Sequence, residues 1–149
     1  MYGSILVPID GSENSARALK HAAQLARMVG AKLVLFHAAP HIHMALNIEG
    51  IKVRRLEEVD DEAKRARDVA AKRLLAAAHR ELGFDDLAVE ELFVVSSNPY
   101  EAIIEAAKKY DCDLIVMASH GHHGVAGVLL GSETQKVLTH SKIPVTVVH

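Results

Sequence analysis

A chain of 149 residues, half of them apolar, can bury roughly two thirds of its unfolded surface in one core. That composition excludes intrinsic disorder, which needs low hydrophobicity and high net charge. A formal charge of -2 argues against a nucleic-acid partner, and the one cysteine, Cys112, excludes an internal disulfide framework and fits a reducing compartment.

Residues 1–149 are expected to form one domain. Ser4-Ile-Leu-Val-Pro-Ile9 predicts a strand that Asp10-Gly11 ends, and Ser12 is placed to cap the helix that follows. In that helix Ala18, Ala22, Leu25 and Val29 recur at helical spacing, and Gly30 closes it. Lys32 to His37 is a second apolar strand. Ala38 to Ile51, with Pro40, Asn47 and Gly50, reads as irregular. A long helix is expected from about Ile51 to Leu82, with its stripe at Leu56, Val59, Ala63, Ala66, Ala70, Leu74 and Ala77 and its stop at Gly83. Basic residues there (Arg54, Arg55, Lys64 to Arg67) alternate with Glu57, Glu58, Asp60, Asp61 and Glu62, the mark of a solvated face with i,i+4 pairs.

Leu87 to Val95 predicts the third strand. Asn98-Pro99-Tyr100-Glu101 has the form of a capping box with proline at the first helical position, and its helix should turn Ile103, Ala106, Ala107 and Tyr110 inward. Asp113 to Ala118 is the fourth strand. Ser132 with Gln135 repeats the capping-box pattern for a helix reaching His140, and Ile143 to Val148 is the last strand.

Five strands alternating with four helices predict an α/β domain: a single open, parallel, five-stranded sheet with helices on both faces, doubly wound. The first and fourth strands, apolar throughout, should be central. Ligands in such sheets bind beyond the C-terminal strand ends where strand order reverses, which here means beside Pro8-Ile9-Asp10 and Met117-Ala118. From that edge leaves a loop punctuated by Gly121, Gly124, Gly127 and Gly131-Ser132 that ends at a helix start. Unpaired N–H groups there carry partial positive charge, and glycines let main chain approach an anion. Neither GxxxxGK[ST] nor a GxGxxG after the first strand is present.

The segment Ala118-x2-Gly121-x9-Gly131-Ser132 resembles the G-x2-G-x9-G-[ST] pattern of the universal stress protein family, with Ala118 in place of the first glycine. The opening Ile5-Leu-Val-Pro-Ile-Asp10-Gly-Ser12 and the closing Ile143-Pro-Val-Thr-Val-Val148 are similar to the family as well, so the resemblance spans the chain. It implies an adenine nucleotide alpha hydrolase-like fold and a site for ATP, or ADP or AMP. Carried over by position, Pro8, Ile9 and Asp10 lie beside the adenosine, Ala38 at the adenine, and Met117 and Ala118 under the ribose and first phosphate. Ser119, His120 and Gly121 wrap the phosphates, while Gly131, Ser132 and Glu133 supply N–H groups, with the Ser132 hydroxyl at the phosphate chain. The resemblance also implies Mg²⁺ or Mn²⁺ held through the phosphates, and a stress-response regulator that dimerises through Val145 to Val148.

Ten histidines raise the question of a metal site, with His120, His122 and His123 in the glycine loop and His41 and His43 after the second strand. No cysteine or carboxylate stands at a familiar spacing, so these read as solvated or phosphate-facing side chains. His37 reads as structural, Asp10 as a partner of the following helix that also faces ligand, and the Cys112 thiol as raised by its flanking carboxylates. Val125 to Leu130 is apolar for a loop and should dock on the protein or a partner. No positioned base, lysine clamp or arginine finger accompanies the loop, which favours binding over catalysis. The alternative is a dimeric interaction protein of the same family that binds no nucleotide. Met1-Tyr2-Gly3-Ser4 runs straight into a strand without a signal peptide, and no apolar run reaches the ~20 residues that span a bilayer; a cytoplasmic location without membrane contact is expected.

Overall fold

Strands and helices alternate throughout the computed structural model, which describes residues 1–42, 53–83, 86–121 and 129–149. The order is β1 (Ser4–Pro8), α1 (Glu13–Val29), β2 (Lys32–Ala39), α2 (Val53–Glu81), β3 (Val89–Val95), α3 (Pro99–Lys109), β4 (Leu114–Ala118), α4 (Ser132–His140) and β5 (Val145–Val148). All neighbours in the sheet are parallel, in the order β3-β2-β1-β4-β5. This is the expected doubly wound sheet. β1 is its middle strand, β4 is interior beside it, and β5 forms one edge.

Side chains on successive strand residues point to opposite faces, so apolar runs supply two cores at once. Ile5 and Val7 of β1, Leu33 and Leu35 of β2, and Leu114 and Val116 of β4 meet α1 and α2 on one face. Leu6, Val34, Phe36, Ile115 and Met117 meet α3 and Val137 of α4 on the other. Leu75 and Phe36 are fully buried, and burial of such side chains is worth roughly 1.5–3 kcal/mol each.

The α1 boundaries follow their local signals. Ser12 Oγ accepts from the Ser15 N–H at 3.1 Å, and Gly30 takes the left-handed conformation (φ 73°) with its N–H on the Ala26 carbonyl. Gly83, with φ 84°, follows the end of α2.

Three expectations are corrected. β2 runs on to Ala39, so Ala38 is a strand residue paired with Val94 rather than part of an irregular segment. The buried residues of α2 are Ala71, Leu75 and Ala78, with Leu74 of the expected stripe partly buried against the same core, while Ala66, Ala70 and Ala77 face solvent. Adjacent alanines at 70–71 and 76–78 and the leucine pair at 74–75 make neighbouring stripes equally apolar, so the pattern alone does not choose between them. The side chains of Leu56 and Val59 lie outside the described residues. Finally, neither expected capping box forms. Asn98 is the N-cap of α3 but makes no side-chain cap bond, and the N-cap of α4 is Gly131, with Ser132 already helical.

The C-terminus of α3 has no glycine. Asp111 adopts φ 52° there, and the Cys112 N–H reaches back to the Ala107 carbonyl at 2.8 Å. Aspartate is among the few residues that tolerate this backbone. The buried Cys112 thiol is pushed up mainly by loss of solvent, with Asp113 a smaller contribution and the Ser4 hydroxyl and Lys32 opposing.

Candidate functional site

β1 and β4 are hydrogen-bonded neighbours, but β1 connects onward to β2 on one side and β4 to β5 on the other. The chains therefore diverge above their C-terminal ends, where a cleft of about 700 Å³ opens. β1 contributes Pro8 and the residues after it, Ile9 and Asp10, and β2 contributes Phe36, His37 and Ala38. Met117 and Ala118 come from β4, followed by His120 and Gly121. Leu130, Gly131, Ser132, Glu133 and Thr134 bring the start of α4, and Pro99 and Ile103 bring α3.

Of the residues expected from the sequence, all but Ser119 line this cleft. Ser119 is buried behind it, and its Oγ lies 3.1 Å from His120 Nδ1. Phe36, Pro40, Pro99, Ile103, Leu130, Thr134 and Ser15 were not anticipated. Phe36 could have been found from the strand-end rule, since it precedes His37 at the end of β2. Pro99 and Ile103 arrive by the packing of α3, which no local pattern announces.

The turn after β1 is tightly organised. Asp10 Oδ1 accepts from the Ser12 N–H at 2.9 Å and from the Ser12 hydroxyl at 2.5 Å, and Gly11 has φ 83°. Ser15 Oγ closes the motif by donating to the Ser12 carbonyl at 3.0 Å. His37 is structural as expected, its Nδ1–H donating to the Ile9 carbonyl at 2.7 Å, which joins the ends of β1 and β2.

The described ends of the glycine loop meet beside the cleft. A Cβ on Gly121 would lie 2.5 Å from Asp10 Oδ2, and one on Gly131 would lie 3.2 Å from the Ser119 carbonyl oxygen and 3.4 Å from His120 Cα. The Gly131 N–H donates to that Ser119 carbonyl at 2.6 Å. It is thus committed within the chain, and since the Gln135 N–H makes the first intrahelical bond, to the Gly131 carbonyl, the N–H groups presented at the helix start are those of Ser132, Glu133 and Thr134. Thr134 Oγ1 donates to the Ala118 carbonyl at 2.9 Å and pins α4 to the end of β4. The Glu133 carboxylate turns toward α3, accepting from the Tyr100 N–H at 2.9 Å and from Lys136 Nζ at 3.3 Å. Tyr100 hydroxyl ionisation is pushed up first by its hydrogen bond to Glu101, then by desolvation and the nearby carboxylate charges.

One atom of the site stands out. His120 Nε2 is the single buried side-chain nitrogen or oxygen among the described residues that has no hydrogen-bond partner. Leaving a buried polar group unmatched costs about 1–3 kcal/mol.

The glycines at 124 and 127, with His122, His123, His43 and most of the apolar stretch Val125–Leu130, lie outside the described residues. Of that stretch Leu130 lines the cleft and Leu129 is 82% exposed. Among the described residues, no three His, Cys, Asp or Glu side chains gather closely enough to hold a metal ion.

A parallel sheet with a glycine-lined cleft at its switch point defines the class of α/β proteins that hold small ligands at main-chain amides. The model of the universal stress protein family matches residues 1–149, and the chain belongs to that family. It is 31% identical to the universal stress protein MJ0577 of Methanocaldococcus jannaschii, over 99% of this chain and 95% of the relative. It is also 31% identical to a universal stress protein of Thermus aquaticus, covering 99% of both chains. The solved structure of MJ0577 superposes with a TM-score of 0.81, covering 99% of this chain and 96% of that one. A universal stress protein solved in complex with cAMP is 31% identical, with a TM-score of 0.67, 99% of this chain and 97% of that chain being covered.

Proposed function

We propose that this protein binds an adenine nucleotide (ATP, ADP or AMP) in the cleft and works as a dimeric, cytoplasmic stress-response regulator rather than as an enzyme. The observation that carries the reading is the cleft itself: about 700 Å³ open beyond β1 and β4, with Gly121, Gly131 and the first residues of α4 along one side. The apolar flank formed by Ile9, Phe36, Ala38 and Met117 suits a purine, and the amides of Ser132 and Glu133 suit a phosphate. The relative crystallised with cAMP carries an adenine nucleotide, which supports the same ligand class here. Any Mg²⁺ or Mn²⁺ would enter with the phosphates. Among the described residues no lysine or arginine lines the cleft to stabilise charge in a transition state, so binding without turnover is the expected behaviour.

The test begins with the purified protein, denatured, and its supernatant separated by ion exchange. An adenine nucleotide peak is expected, along with calorimetric binding of added AMP or ATP. Gly131→Val should lose both, because its branched side chain presses on Ser119 and His120 main chain. A clean supernatant together with no heat on titration overturns the reading.

A further inference from the structure

We infer that the outer surface of α1 and of the C-terminal half of α2 is a docking face for an anionic lipid surface. The attachment is peripheral, reversible and independent of the nucleotide reading above. It needs no apolar spanning run, because a basic helical face can lie flat among lipid headgroups.

Residues 16–29 and 69–80 hold six lysines and arginines, two histidines and no aspartate or glutamate, in a chain whose formal charge is -2. The acidic remainder masks this excess in the overall composition. Both segments cover the same side of the sheet: α1 packs on β1, β4 and β5, α2 packs on β2 and β3, and the two helices share one core. Arg27 ties their ends together, its Nη2 donating to the Leu82 carbonyl at 3.2 Å, and its charge is matched by Asp86 at 2.6 Å. The other five cations, Arg17, Lys20, Lys72, Arg73 and Arg80, are exposed and make no ion pair among the described residues. Arg17 hydrogen-bonds the neutral side chain of Asn14. On the other side of the sheet, residues 99–111 and 132–142, which span α3 and α4, hold four lysines against four carboxylates. The unmatched positive charge therefore belongs to one side of the molecule.

Helical periodicity turns these side chains outward. In α1 the buried set is centred on Ala22, so Arg17, Lys20, Gln24 and Met28 rise along the opposite side. In α2, Ala71, Leu75 and Ala78 face the core, so Val69, Arg73 and Arg80 stand away from it. Met28 is 84% exposed and Val69 46%. Cations interspersed with exposed apolar side chains make an interfacial surface: the apolar groups enter the headgroup layer while the charges meet lipid phosphates. Neither segment contains Phe, Tyr or Trp, the residues that anchor most protein interfaces and single-stranded nucleic-acid sites. A lipid surface asks only for charge density and a flat face, and it is the partner these residues fit. None of residues 16–29 or 69–80 lines the cleft, so docking leaves the cleft open.

Co-sedimentation of the full chain with phosphatidylcholine vesicles, with and without about 30 mol% phosphatidylglycerol, tests this. At about 50 mM salt the protein should pellet with the anionic vesicles and stay in solution with the neutral ones, and about 0.5 M salt should release it. The triple reversal Lys20→Glu, Arg73→Glu, Arg80→Glu should weaken vesicle binding roughly tenfold or more. Lys108→Glu, Lys109→Glu, Lys142→Glu, an equal change of net charge on the other side of the sheet, should retain it. No pelleting with anionic vesicles, equal pelleting with both kinds, or equal losses in the two triple variants overturns the inference. Binding of a duplex DNA fragment without any binding to anionic vesicles overturns it as well and gives the face to nucleic acid. The wild-type comparison stands even if a triple variant does not fold.

Discussion

Gly121 and Gly131 are small because neighbours crowd them: Gly131 has φ -66°, and the described glycines with positive φ are Gly11, Gly30 and Gly83. The same distinction settles Ala118. It is a strand residue paired with Val148 and does not have positive φ, so a methyl group at the first position of the glycine pattern brings no backbone strain. Asp113 shows how one side chain can tie two distant segments. Its carboxylate accepts from the Gly3 N–H at 2.9 Å and the Ser4 N–H at 3.1 Å, fastening the start of β1 beside the start of β4. Desolvation opposes ionisation, but these backbone bonds outweigh it and hold the carboxyl below its usual range. A depressed folded-state value means stabilisation that is complete above the unfolded value, about 3.9, and lost as pH falls through the folded one. Urea unfolding should therefore find Asp113→Asn less stable than wild type at neutral pH, with the gap closing in acid. A gap that stays constant down to the folded pKa would refute this account.

Among the elements, α3 and α4 start side by side, and each start is completed from outside its own sequence. Glu133 caps α3 through the Tyr100 N–H, while the N-cap Asn98 is itself held by Ser96 Oγ at 3.1 Å. Glu133→Ala should lower stability by about 1 kcal/mol, the usual worth of a helix cap, whereas Asn98→Ala should be nearly neutral. Chemical denaturation of the two variants distinguishes this from the sequence pattern, which assigns the capping to Asn98. The comparison shows what was legible. Strands β1 and β4 were readable because apolar runs bounded by Asp-Gly or Asp-Cys-Asp admit few other conformations, β2 because its apolar run starts just after Gly30, and α1 because Ser12 and Gly30 act within a few residues of their targets. Glu133 was unreadable in this role because its partner is 33 positions away in sequence. The α2 stripe was misjudged for another reason, since alanine contributes too little area to distinguish one helix face from the next. In the site, the strand-end and loop residues were accessible through chain order, but the walls from α3 and the orphaned His120 nitrogen exist only once helices pack.

At the scale of the whole molecule, β5 is an open edge. The carbonyls of Pro144 and Val148 accept from β4 residues and their successor, Ile115 and Ser119. Alternation along a strand then leaves the main-chain groups of Val145 and Val147 facing outward, the arrangement by which a second copy could add on. Val147→Pro removes one such donor. Light scattering after size exclusion should show a dimer for the wild type and a monomer for this variant, and an unchanged mass would count against pairing through β5. Among the described residues no helix is long and apolar enough to cross a membrane.

Ser119 joins these scales. Its N–H is bonded to the Val148 carbonyl at 2.9 Å, and its own carbonyl receives the Gly131 N–H at 2.6 Å. One residue thus acts as a fulcrum between the outermost strand and the lip of the cavity. Tilting the rim of the sheet would move α4 with it, and slowed proton exchange at this one amide would report that the link is held.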